Sequence, residues 1–542
     1  MAAEYDVCII GGGPAGLTLL SAIHDQFGVL SDHQQGIELR RRRSTSSDAS
    51  HGRDAPIRVC VVDPAGAFLA DWRGRFDALD IGFLRSPAWA HPDFYSPNAL
   101  CEYAWRKGRD AELRTLDLSG SSLKHLVELN AGLFRLPGAR LYEDFCADLA
   151  KTLPHDMVRG FASNITKRAD AYDVAIAQRP SVRAKSVVFA LGAAMTPRAP
   201  PEFPENHPLV THTNDWRSLG KLAFARDDTV LVIGGGLSAA QAALRAARRG
   251  AGRVVHCSRR PLSERHYDLD LEWMNPRSTA KGNARGRLFA FQGKPLSERR
   301  AWVRDARGGG ATVPPCYVRD LEAAAERGGF ERRVDHAVSV EDVAGKLRVT
   351  FTCGAPVDAT RVILATGSEF DVESVPLLAA AARDFGLPVV DGLPALDDDL
   401  AWGDERFFVV GALATLQVGP DAGNLTGARR AADVCAANLG CHDSLVEKGS
   451  ILTNIYDVFG DSDSDSDESD DDDACAATVN TPPACRRRRG ARRPRRRATC
   501  RTSTPAPAKP PARPRSRTLS YYELCPRRSF LESLRSQKRT HP

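Results

Sequence analysis

Gly11, Gly13 and Gly16 stand at G-x-G-x-x-G spacing in YDVCIIGGGPAGLTLLSAI. Gly234, Gly236 and Ala239 repeat the pattern in TVLVIGGGLSAAQAALRAARRGAGRVVHCSRR. Glycines so spaced let the main chain turn tightly and approach a pyrophosphate, whose charge rests on the N-terminus of the helix that follows. Ser238, inside the second turn GGGLSAAQ, joins the nucleotide-binding set. The pattern next asks for a ribose partner at the end of the second strand, about 20 residues on. In the first unit the strand RVCVVD ends in Asp63, well beyond that distance. The excess is the polar stretch 28–56, with Arg40–Arg43, which reads as a disordered insertion. Asp63 either accepts from a ribose hydroxyl or caps the turn at Pro64.

In the second unit no acid follows Val255–His256; Ser258, Arg259 and Arg260 stand there instead. An acid accepts from the 2′-hydroxyl of NAD, whereas Arg pairs the 2′-phosphate of NADP. The pair therefore selects NADPH, the alternative being two arginines in a solvated loop. Two mononucleotide folds imply two dinucleotides. The combination that makes chemical sense is FAD with NADPH, hydride passing between them.

The elements that must hold these residues are legible around them. Val7–Ile10 is an apolar run that suits a strand buried on both faces, and Leu17–Ile23 reads as a helix. VVFALGAAMTPRAP (187–200) and RVILATGSEF (361–370) are buried strands ending at a glycine, each preceded by an alternating hairpin segment, AYDVAIA and KLRVTFTC. A further strand, RFFVVGALA (406–414), precedes GPDAGNLTGARRAADVCAANL, where Asn424 is an N-cap and Leu425–Leu439 a helix. Gly419, Asn424 and Leu425 thus present a positive helix end to an anion, and a flavin there would be stabilised in its reduced, negatively charged form.

At roughly 100–200 residues per domain, 542 residues allow two or three domains. The fold class that follows is α/β, with two Rossmann-like dinucleotide-binding domains and the NADPH domain inserted in the FAD domain. The boundaries are 1–205 for the first part of the FAD domain, 206–394 for the NADPH domain, 395–442 for the return to the FAD domain, and 443–542 for a disordered tail. Residues 474–542 carry 19 Lys and Arg against Glu523 and Glu532, residues 461–473 hold nine acids, and the body is electroneutral. Nucleic-acid binding by the body therefore loses its support. The tail reads as solvated and self-neutralising, or, through the basic run 486–497, as a nuclear-import or polyanion-binding segment. SYYELCPRRSFLESLRS, near its end, has the spacing of a short docking helix.

No apolar run reaches the roughly 18 residues of a membrane span, and a buried-strand pattern from Tyr5 leaves no cleavable signal. Thirteen cysteines without a C-x-x-C pair point to a reduced compartment, with no zinc or other metal site and no dithiol centre. The expected location is cytoplasmic, with nuclear as the alternative from the basic run.

By these residues the chain resembles the two-dinucleotide flavoproteins over roughly residues 4–440, and within them the NADPH-dependent flavin monooxygenases. The segment DWRGRFDALDIGFLRSPAWAHPDFYSPNALCEYAWRKGR looks like the matching stretch of ornithine and lysine N-hydroxylases, with Trp72, Phe83, Leu84 and Gly108-Arg109 in order. His212-Thr-Asn-Asp-Trp216 looks like the element before their second nucleotide fold. The family's glutamine falls at Asp80, its substrate-holding lysine at Arg85, and its A-T-G-Tyr at Ala365-Thr366-Gly367-Ser368. GPDAGNLTGAR departs from their C-terminal pattern. Disulfide reductases share the architecture but need a cysteine pair beside the flavin, whereas Cys60 and Cys101 stand alone and Cys257 sits among Arg and Ser.

The resemblance implies hydride delivery from NADPH to FAD, O2 activation as a C4a-(hydro)peroxyflavin, and oxygen transfer to a small nucleophilic substrate. Arg85, Asp80 and His212 are the candidates for the catalytic face. For the first two the alternative is a structural ion pair, and for His212 a capping or loop role. Two rival functions stay open: a flavin reductase or dehydrogenase without oxygen transfer, and a non-catalytic flavoprotein acting through its tail. Substrate and oligomeric state are not legible.

Overall fold

The computed structural model describes residues 4–26, 57–94, 96–116, 132–192, 195–269, 273, 288 and 290–441. The expected insertion 28–56 and the tail 443–542, with its charge runs and docking stretch, lie outside the described residues.

The first sheet begins with β1 (Glu4–Ile10), followed by α1 (Pro14–Gln26), β2 (Val59–Asp63) and α2 (Ala70–Ala78). It continues through β3 (Asp156–Arg159), β4 (Ala162–Arg168), β5 (Ala171–Ile176) and β6 (Arg179–Phe189), in the order β3-β2-β1-β6-β5-β4. β1 lies between two parallel neighbours, with Cys8 opposite Cys60 and Val187. Both its faces are covered, which is why an unbroken apolar run was needed. β6 splits its free edge: Arg179–Ala184 pairs antiparallel with β5, and Val187–Phe189 pairs parallel with a strand at Phe407–Val409. The hairpin read in AYDVAIA is thus present. α1 starts on Pro14, whose fixed φ and missing N–H suit a first helical position. Its Leu17, Leu19, Leu20 and Ile23 are all fully buried.

The second sheet is wholly parallel. Its strands are β7 (Val210–His212), β8 (Thr229–Ile233), β9 (Arg253–Ser258), β10 (Phe330–Val334) and β11 (Arg361–Leu364), in the order β7-β11-β8-β9-β10. β8 alternates its burial. Val230 and Val232 pack with the alanines of the helix Leu237–Arg248, and Leu231 and Ile233 pack against an antiparallel sheet built from Ala337–Val343, Lys346–Phe351 and Val357–Ala359. Both sheets place the glycine-turn strand where the strand order reverses, the position at which such sheets bind ligands beyond their carboxyl ends.

The halves are joined by an antiparallel ribbon, Met195–Pro197 with Ser368–Phe370. The return to the first sheet falls here rather than at residue 395. Val372, Val375, Leu377, Leu378 and Ala381 already belong to the first core, which the helix Pro376–Asp384 enters beside β4. Tyr267, Leu269, Trp273, Leu288 and Phe291, expected with the second sheet, also pack in the first core. The final described helix, α3 (Leu425–Ala436), stops short of Leu439 and widens into a π-turn, Ala437–Cys441.

Candidate functional site

The first turn is shaped by what surrounds each glycine. Gly11 has φ +120°, and a Cβ there would lie 2.3 Å from the carbonyl oxygen of Ala190, just past β6. A Cβ on Gly16 would lie 2.1 Å from the oxygen of Gly11, so only glycine lets α1 sit this close to its strand. Gly13 differs: chain neighbours aside, no atom of the described residues stands within 4 Å of its would-be Cβ, so its face is open among them. The Gly12 N–H donates to Asp63 Oδ2 at 2.9 Å, and the Ala65 N–H to Oδ1 at 2.8 Å. Asp63 therefore caps its own turn and also braces the glycine turn, which places it beside the open face.

Helix α3 brings the second element to this face. A Cβ on Gly411 would be 3.2 Å from that of Ala15, and one on Gly423 would be 3.6 Å from that of Ala412. Residues 411–425 therefore run beside the start of α1. Asn424 caps α3, its Oδ1 accepting from Thr426 N–H at 2.9 Å and Gly427 N–H at 3.1 Å. Its Nδ2 and the hydroxyl of Thr426 are buried without a partner among the described residues. Gly419 has φ +110° and ends the short helix Thr415–Val418. Leu425 is buried. The loop is stiffened by a buried ion pair, Arg430 to Asp421 at 2.7 Å, and burial holds the Asp421 carboxyl above its ordinary range in spite of that arginine. Arg429, also buried, donates to the carbonyls of His91, Asp93 and Phe94. Neither arginine was singled out from sequence, because nothing in a helical RR pair announces buried carbonyls.

The second turn copies the first at its base. Gly234 has φ +151°, and its Cβ would lie 2.3 Å from the oxygen of Ala365, just past β11. Ala190 and Ala365 are also the residues from which the chain leaves toward the ribbon between the halves, so both turns open beside that seam. Ser238 is exposed in the first turn of its helix, and Gly236 is buried. A Cβ on Gly235 would lie 3.5 Å from Ser258 Cβ, which sets the end of β9 next to the turn. Arg259 and Arg260 follow, both exposed. Neither forms an ion pair with a described residue, so both guanidinium groups are available to an anion.

None of the three residues expected at the catalytic face bonds to another of them. Arg85 donates to the carbonyls of Arg265 (2.8 Å), Tyr267 (2.8 Å), His266 (3.2 Å) and Thr312 (3.3 Å), and to Thr312 Oγ1 (2.7 Å). Burial pulls its pKa down to about 10. Every nitrogen of its fork makes at least one of these bonds, so the guanidinium is held chiefly by main-chain carbonyls. The alternative of an Arg85–Asp80 ion pair is also not what the structure contains. Asp80 instead accepts from Arg249 at 2.6 and 3.2 Å, which draws its pKa below the ordinary range. His212 Nδ1 accepts from the Asn214 N–H at 3.1 Å, leaving Nε2 near Thr366 Oγ1 at 3.4 Å. Burial lowers its pKa to about 4. A neutral imidazole that receives a main-chain N–H is a cap. The stretch that carried the family resemblance does interdomain work: a Cβ on Gly74 would meet the Trp216 ring at 2.3 Å, and Trp216 Nε1 donates to Asp71 at 3.0 Å.

No family model and no curated protein matches the sequence. Solved structures match in fold. An ornithine N-hydroxylase from Kutzneria sp. 744, solved with reduced FAD, NADP+ and L-ornithine, has TM-score 0.59 at 16% identity over 81% of this chain and 99% of that one. The FAD-bound cadaverine monooxygenase of desferrioxamine biosynthesis from Erwinia amylovora gives 0.57 at 14%, over 82% and 96%. Ornithine hydroxylase from Pseudomonas aeruginosa gives 0.56 at 16%, over 81% and 99%. At such identities the likeness establishes the fold, an α/β chain with two Rossmann-like units.

Proposed function

We propose that this protein is an FAD- and NADPH-dependent oxidoreductase that acts as a monooxygenase on a small nucleophilic substrate, with a primary amine as the first class to test. The observation that carries the FAD assignment is the open face at Gly13, met by the capped start of α3 with two orphaned polar atoms, Asn424 Nδ2 and Thr426 Oγ1. Buried polar atoms are rarely left without partners. A dinucleotide lying across the two elements supplies partners to both atoms and sets its charge on two helix N-termini. Solved proteins of the same fold act on ornithine or cadaverine, which motivates the substrate class.

The residues divide the work. Gly11, Gly13 and Gly16 allow a close approach of main chain to pyrophosphate, Asp63 takes a ribose hydroxyl, and Gly419, Asn424 and Leu425 shape the flavin end. Gly234, Gly236 and Ser238 form the NADPH turn, and Arg259 and Arg260 take the 2′-phosphate. When bound, the two cofactors supply hydride transfer and the activation of O2. The protein contributes position and exclusion of water. Arg85, Asp80 and His212 are positioning groups in this account. Among the described residues no helix is long and apolar enough to cross a membrane.

The test is NADPH oxidation by the FAD-loaded protein under 18O2 with a panel of amines. Substrate-dependent incorporation of 18O supports the reading. Turnover that reduces a quinone equally well without oxygen would replace it with the reductase alternative.

A further inference from the structure

The two glycine turns agree at their first glycine and part at their second. Gly13 faces nothing within 4 Å, whereas a Cβ on Gly236 would lie 2.7 Å from Ala311 Cβ. The second glycine of this motif is where the main chain comes closest to a pyrophosphate. In the second unit that approach is made by the methyl group of Ala311.

Ala311 ends the run Gly308-Gly309-Gly310. Gly308 and Gly309 have φ +84° and +66°, and nothing stands within 4 Å of the would-be Cβ of Gly309 or Gly310. This stretch is exposed. Glycines in left-handed conformations at the surface give a chain the freedom to rearrange at little steric cost. Immediately after Ala311 the chain is fastened. Thr312 and Val313 are buried, and Val313 exchanges main-chain bonds with Ser263 (2.8 Å) and Arg265 (3.0 Å). Arg85 ties Thr312, through its carbonyl and hydroxyl, to the carbonyls of residues 265–267. Tyr267 is itself anchored in the first core by its hydroxyl, which donates to Phe134 O at 2.9 Å.

We infer that residues 308–312 form a gate over the second dinucleotide turn and that Arg85 is its latch, a positioning residue reaching from the first half of the molecule. The inference rests on the reading of that turn as an NADPH site. A nucleotide pyrophosphate settles on Gly236 only when Ala311 withdraws, so the closed fraction lowers the apparent affinity in proportion. A dinucleotide is the class of ligand affected. A nucleotide without a pyrophosphate has no need of the Gly236 approach.

The test uses FAD-loaded protein and two probes: NADP+, and adenosine 2′-monophosphate, which carries the 2′-phosphate but no pyrophosphate. Ala311→Gly removes the obstructing methyl, Thr312→Val removes a bond to the latch, and Arg85→Lys removes its fork. Each variant is expected to raise the association rate and affinity of NADP+ by about tenfold, the effect of freeing one such closed state. Binding of adenosine 2′-monophosphate and flavin content stay unchanged. A residue with a merely structural role does not tighten binding when it is lost. Unchanged or weaker NADP+ binding by Ala311→Gly, with adenosine 2′-monophosphate still bound, would overturn the gate. Failure of the wild-type protein to bind adenosine 2′-monophosphate would overturn the NADPH reading itself, and the gate with it. Ala311→Gly, a small change in an exposed loop, decides the matter if either latch variant fails to fold.

Discussion

Replacing Gly13 by alanine separates binding from folding. The open face means the new methyl meets no atom of the described residues within 4 Å apart from its chain neighbours, and Gly13 is not in the left-handed region. Two small terms then act on the apoprotein. Gly→Ala at a compatible position stabilises by about 0.4–1 kcal/mol through the unfolded chain. Alanine is a poorer residue before a helix by up to about 1 kcal/mol. They offset, and apoprotein stability changes by less than about 1 kcal/mol. With FAD bound, the methyl occupies the space of closest approach, and overpacking of that kind costs about 1–3 kcal/mol, or about 5- to 150-fold in affinity. Gly16→Ala is the control with the opposite signature, since its Cβ would lie 2.1 Å from the Gly11 oxygen and the helix itself must move. The assay is reconstitution of apoprotein with FAD, followed by flavin fluorescence, alongside thermal unfolding of each apoprotein. Wild-type FAD affinity in Gly13→Ala, or its unfolding at a much lower temperature, would refute the reasoning.

Arg259→Ala with Arg260→Ala should weaken NADPH by about 1.5–3 kcal/mol, the range of hydrogen bonds to charged groups, and leave NADH unchanged; equal losses in binding titrations would place the 2′-phosphate elsewhere. Asn424→Asp should keep the α3 cap and apoprotein stability yet weaken FAD, because it removes the Nδ2 donor and adds charge; unaltered FAD affinity would show that the amide does not face the cofactor. His212 titrates near 6.5 unfolded and at about 4 folded, so between those values the unfolded chain binds the extra proton. Stability should therefore fall as pH drops from 6.5 toward 4, by at most about 3 kcal/mol from this group, and stay level above 6.5. His212→Gln should flatten part of that slope in denaturant titrations at several pH values, and an unchanged slope would assign it to other groups.

The glycine turns were legible because their cause is local. An apolar run, three glycines at fixed spacing and a helix leave one compact solution, and Gly11 and Gly16 are held by neighbours a few residues or one strand away. The Asn424 cap was legible for the same reason. Arg85 and Asp80 were not, because their partners lie across the fold. Arg85 is satisfied by carbonyls at residues 265–267 and 312, and Asp80 by Arg249 at the far end of a helix. Carbonyls leave no trace in a sequence, so a buried arginine latched onto them looks the same as one waiting for a substrate carboxylate. The return to the first sheet was misplaced at 395 because the apolar positions of 372–381 suit either core, and only the ribbon at 368–370 decides between them.

The central claim is that the first turn and the start of α3 hold FAD, and that the second turn delivers electrons to it from NADPH. The most direct measurement is the visible spectrum of the purified protein, supplemented with FAD and then mixed with NADPH or NADH in the absence of oxygen. The account predicts a tightly held flavin that NADPH bleaches and NADH bleaches far less well. A protein that stays colourless after FAD is offered, or a flavin that neither nucleotide reduces, would contradict it.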